Sequence, residues 1–68
     1  MIHSDDPDLE WTVTNRDIRK ESGKLKTMVN VSVKHPPSGY AGWALQPNES
    51  LARTKALARL NYCRDHQL

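Results

Sequence analysis

From residue 9 to residue 46, apolar and polar side chains mostly alternate; after residue 48, the apolar positions take a helical spacing. Leu9, Trp11 and Val13 alternate with Glu10, Thr12 and Thr14, the period of a half-buried strand, so the first strand is expected over 9–14. A continuation towards Lys20 puts Ile18 out of phase with Val13 and calls for a bulge near Asn15 or a short irregular stretch. Glu21-Ser22-Gly23-Lys24 reads as a turn in which Gly23 can take positive φ.

The second strand, 25–34, is the strongest signal in the chain. Leu25, Thr27, Val29, Val31 and Val33 fall on one face, and Lys26, Met28, Asn30, Ser32 and Lys34 on the other. His35-Pro36-Pro37-Ser38-Gly39 ends it, because proline cannot donate to a ladder. The third strand is expected over 40–46, with Ala41, Trp43 and Leu45 facing the core beside Trp11, and with Tyr40 on the opposite face with Met28. Gly42 weakens the strand. Asn48 or Ser50 can cap a helix over 51–65, rich in Ala, Leu and Arg. At helical spacing, Ala52, Ala56, Leu60 and Cys63 share one face, and Leu51, Ala58 and Tyr62 form a weaker second one.

These elements predict an α+β fold of order β-β-β-α: a three-stranded antiparallel meander followed by one C-terminal helix packed on one sheet face. The domain is expected over 9–68, behind an acidic flexible tail over 1–8. The element order is similar to that of several small nucleic-acid-binding domains, among them the latter part of double-stranded-RNA-binding domains and the arm-binding domains of phage integrases. That likeness fixes no function. The chain also lacks the Gly-rich, Lys-rich helix entry of the first group.

Length narrows the picture further. A chain of 68 residues holds one domain and one small core, too little for a deep substrate pocket. Its single cysteine, Cys63, excludes an internal disulfide, which leaves self-association as a route to stability and a homodimer as one expectation. The start Met1-Ile2-His3-Ser4-Asp5-Asp6 has neither the basic nor the apolar region of a signal peptide, and no run approaches a membrane span. The expected setting is cytoplasmic and reducing, and the sequons at Asn30 and Asn48 carry no meaning there.

Charge changes the picture most. All ten Lys and Arg residues lie after position 10, whereas Asp5, Asp6, Asp8 and Glu10 lie within the first ten. Residues 11–68 hold ten basic against four acidic groups, a formal +6 that the overall net of +2 conceals. Such a body favours anionic partners. Arg16, Arg19, Lys20, Lys24 and Lys26 cluster around the first turn, and Lys55 and Arg59 share a helix face with Tyr62 and His66, suited to phosphate contact plus stacking. Those residues, the five of the hairpin with Lys55, Arg59 and Tyr62, are the candidate nucleic-acid contacts. The acidic tail can either solubilise the chain or fold back over the basic face.

A different class of function is a protein-binding inhibitor or adaptor, of the kind small phage or mobile-element genes encode. Its contacts would be Met28 and Tyr40 on an exposed sheet face, with Leu51 and Tyr62 on the second helix face. Cys63-x-x-His66, with His35 and His3 as distant candidates, is only half a zinc pattern, and no metal or other cofactor is expected. Cys63, Asp65 and His66 crowd one helix end without converging, and no phosphate loop or carboxylate pair is present, so no enzymatic activity is expected.

Overall fold

The computed structural model describes residues 1–67. Three strands, β1 (Glu10–Arg19), β2 (Leu25–His35) and β3 (Tyr40–Gln46), form one antiparallel sheet in the order β1-β2-β3, followed by the helix α1 (Glu49–His66). This is the expected β-β-β-α order, with α1 lying over β2 and β3.

β1 is longer than its alternation suggested. Its register runs without interruption from Glu10↔Lys34 to Arg19↔Leu25, so no bulge occurs near Asn15. Ile18 changes face simply by standing on the even side of an unbroken ladder. The hairpin closes with Lys20 N–H donating to the Lys24 carbonyl at 2.9 Å and Gly23 N–H to the Lys20 carbonyl at 2.9 Å. Gly23 sits at φ 83°, the left-handed position that a three-residue hairpin loop requires.

In β3, the face assignment is the reverse of the expected one. The register pairs Val31 with Ala44, Val33 with Gly42 and His35 with Tyr40, so Tyr40, Gly42 and Ala44 face the helix. Trp43 and Leu45 face away, and Trp43 is 58% exposed. The cause is the small-residue face of α1. Ala52 and Ala56 are fully buried with Leu60, and they bring the helix backbone down onto the sheet. A Cβ on Gly42 would lie 2.2 Å from the Ala56 carbonyl oxygen and 2.7 Å from the Leu60 nitrogen. Only glycine fits there, and an indole at that position is excluded. Val31, Val33 and Ala44 complete the core, flanked by Leu9, Trp11, Val13, Val29, Tyr40 and Leu57.

The helix begins two residues earlier than expected, capped by Asn48, whose side-chain oxygen accepts from Leu51 N–H at 2.8 Å. The acidic segment 1–8 is fastened to it. Ile2 is buried, its N–H donates to Asn61 Oδ1 and its carbonyl accepts from Asn61 Nδ2, both at 2.9 Å. Both polar ends of a buried asparagine are thereby satisfied by one residue of the arm. No helix among the described residues is long and apolar enough to cross a membrane.

Candidate nucleic-acid interface

Strand lengths decide where the basic residues stand. β3 pairs with β2 only as far out as Val29↔Gln46, while β1 and β2 continue through four more pairs and a loop. At about 3.3 Å per residue, that two-stranded ribbon projects roughly 15 Å beyond the third strand. The molecule is accordingly elongated, 43 × 23 × 15 Å. Every residue over 14–27 is exposed.

Arg16, Arg19, Lys20, Lys24 and Lys26 all stand on this ribbon. Parity separates them. Arg16 and Lys26 share the face turned away from the helix, and Lys20 with Lys24, the next pair outward, follow the same parity. Arg19 stands on the other face with Asp17, whose carboxylate accepts from the Thr27 hydroxyl at 3.0 Å. Among the described residues, no carboxylate lies within ion-pair distance of any of the five cations; the Arg ion pairs lie elsewhere, at Arg53–Glu49 (2.9 Å) and Arg64–Asp65 (3.6 Å). Four cations on one face, close together without partners, create a concentrated positive potential at this end.

Ile18 and Met28 are interleaved with these cations on the open face. Nearer the base follow Thr14, Asn30 and Leu45 in one cross-strand row, and Thr12, Ser32 and Trp43 in the next. The acids of the N-terminal segment lie at the other end, whereas Asp17 and Glu21 stand on the ribbon itself. Glu10 pairs across the ladder with Lys34, and Asp6 Oδ2 is 3.6 Å from His35 Nε2. The tail therefore does not fold back over the basic ribbon: its Ile2–Asn61 anchor holds it at the opposite end of the molecule.

The helical candidates are less concentrated. Lys55 is exposed. Arg59 is committed to the free edge of β3, where its Nη1 donates to the Trp43 carbonyl at 3.1 Å and its guanidinium stands 5.1 Å from the centre of the Trp43 ring. Arg59 thus blunts an edge strand. Tyr62 is 56% exposed and stacks on His66 with ring centres 4.0 Å apart. The helix runs back from the ribbon base, so Tyr62 lies towards the acidic end, separate from the hairpin set. The four residues of the protein-partner set do not meet on one surface. Met28 is on the open face, Tyr40 is half-buried on the helix side, and Leu51 and Tyr62 are exposed about 16 Å apart along α1.

Chemistry beyond charge is sparse. Cys63 is half-buried, and His66 Nδ1 lies 2.8 Å from the Tyr62 carbonyl oxygen, so these two do not converge. Ligand atoms of Asp6, Asp8 and His35 lie within 4.8 Å of one another. His35 Nδ1 is held 2.8 Å from Ser38 Oγ, which leaves Nε2 towards the carboxylates. This trio, at the surface, could supply three donors to a divalent cation. No local sequence pattern reports it, because Asp6 and Asp8 reach His35 through the Glu10↔Lys34 register and the turn in which Leu9 N–H donates to the Asp6 carbonyl. Comparison with known proteins finds no matching family model, no matching curated protein and no matching solved structure.

Proposed function

We propose that the protein is a non-enzymatic nucleic-acid-binding module whose ribbon, over residues 16–26, contacts the phosphate backbone. The observation that carries this reading is the group of five cations on an uncovered ribbon, four on one face, without a carboxylate partner among the described residues. Folding places these charges together at some cost in mutual repulsion, which an external polyanion relieves. Lys55 is a secondary contact, while Arg59 acts chiefly at the β3 edge. The single free thiol fits a reducing, cytoplasmic setting. A titration of isotope-labelled protein with short nucleic acids tests the reading. Shift changes should centre on residues 16–28 at low salt and shrink at physiological salt. Unchanged spectra at low salt would contradict it.

The alternative, a protein partner, has one observation in its favour: Trp43 stands 58% exposed on the uncovered sheet face near Leu45. Its test is a pull-down in which Trp43→Ala removes a partner that charge reversal on the ribbon does not.

A further inference from the structure

The charge on the open face has an internal order that narrows the class of nucleic acid. Cations occupy the projecting ribbon. The next two rows inward carry Thr14 with Asn30 and Thr12 with Ser32, short side chains able both to donate and to accept hydrogen bonds. None of these four side chains has a hydrogen-bonding partner within the protein among the described residues, although no helix covers them.

Dimensions favour one groove. Two strands lie about 4.8 Å apart, and three span roughly 10 Å between outer backbones. The major groove of B-form DNA is about 12 Å wide and admits a two-stranded ribbon. The major groove of A-form RNA is too narrow and deep for side chains to read. Successive side chains on one sheet face stand about 6.7 Å apart, close to two base-pair steps of about 3.4 Å. Single strands are bound on several stacked aromatic rings. This face has one, Trp43, and the Arg59 guanidinium stands 5.1 Å from its ring centre.

The geometry points to duplex DNA, entered from the major groove by the open sheet face. Arg16, Lys20, Lys24 and Lys26 hold phosphates along the groove wall. Asn30, aided by Thr14, faces base edges, and its amide matches the N6 donor and N7 acceptor of adenine. This inference rests on the nucleic-acid reading above and adds the duplex, the groove and the reading residue.

The test compares affinities of the full chain at low salt for a short DNA duplex, the same sequence as duplex RNA and as single-stranded DNA, the duplex carrying glucosylated hydroxymethylcytosine in its major groove, and the duplex saturated with the minor-groove ligand netropsin. The plain duplex should bind roughly tenfold or more tightly than RNA, the single strand or the glucosylated duplex, and netropsin should leave its affinity unchanged. Asn30→Ala should lower affinity for a duplex selected from a random pool by roughly five- to a hundredfold and spare scrambled DNA, with Thr14→Ala acting in the same direction. Equal affinity for all the forms, or displacement by netropsin, would overturn the groove assignment and leave nucleic-acid binding standing. No binding to any probe would overturn both.

Discussion

Gly42→Ala isolates the contact that determines how this sheet and helix fit. Gly42 has no positive φ, so the demand at this position is for space alone. The added methyl would sit 2.2 Å from the Ala56 carbonyl oxygen, 2.7 Å from the Leu60 nitrogen and 3.2 Å from the Leu60 Cα. All three are backbone atoms, so no side-chain rotation relieves the overlap. A normal carbon–oxygen contact needs about 3.3 Å or more, and the helix must withdraw by roughly 1 Å. A gap of that size forfeits about a quarter to a half of each dispersion contact along the interface. That interface includes the fully buried Ala52, Ala56 and Leu60. Overpacking typically costs about 1–3 kcal/mol, and a backbone-on-backbone clash belongs at or above the upper end. A domain of this length has only about 3–10 kcal/mol in total. The variant should therefore lose about 3 kcal/mol and at least about 12 °C in Tm, followed by far-UV circular dichroism. A fall of less than about 4 °C would refute the close approach and with it the explanation for the outward position of Trp43.

The other expectations concern the arm, the cap and the ribbon. Asn61→Ala leaves the N–H and carbonyl of Ile2 without their partners and should cost about 1–3 kcal/mol in denaturant unfolding, with the largest amide shifts over residues 1–8. Asn48→Ala removes the acceptor for Leu51 N–H and should cost about 1 kcal/mol by the same assay. Arg16→Glu with Lys26→Glu should leave stability within about 0.5 kcal/mol and weaken nucleic-acid binding strongly; Arg19→Glu, on the opposite ribbon face, should weaken it less in a fluorescence-anisotropy titration. Equal losses would place the contact on the ribbon edges rather than on its open face.

Much of this architecture is legible in the chain because its signals are local. The ten-residue alternation of β2, the Pro-Pro break after His35, the turn glycines and the Ala-rich helix with its Asn48 cap each act over a few residues. Apolarity misled where volume decided instead. In β3, Trp43 and Leu45 are the more hydrophobic set, yet Gly42 and Ala44 face the core because α1 presents alanines. Ile18 suggested a broken strand, but on a ribbon with neither face covered an apolar residue incurs little penalty on either side, so phase there carries little information. The arm's anchorage depends on a contact between residues 2 and 61, which no local pattern reports. An asparagine in mid-helix, where its propensity is poor, was the available hint. The hairpin cations were visible as a cluster, but their sorting onto one face required the uninterrupted register of β1 with β2.

The central claim is that the ribbon's cations neutralise phosphates, and the salt dependence of affinity tests it most directly. If the four open-face cations each neutralise one phosphate, log K against log salt concentration for duplex DNA should have a slope near −3.6, a loss of roughly 150-fold between 50 and 200 mM. In Arg16→Glu with Lys26→Glu the slope should flatten to about half. A wild-type slope near zero, or one unchanged by that double substitution, would contradict the account.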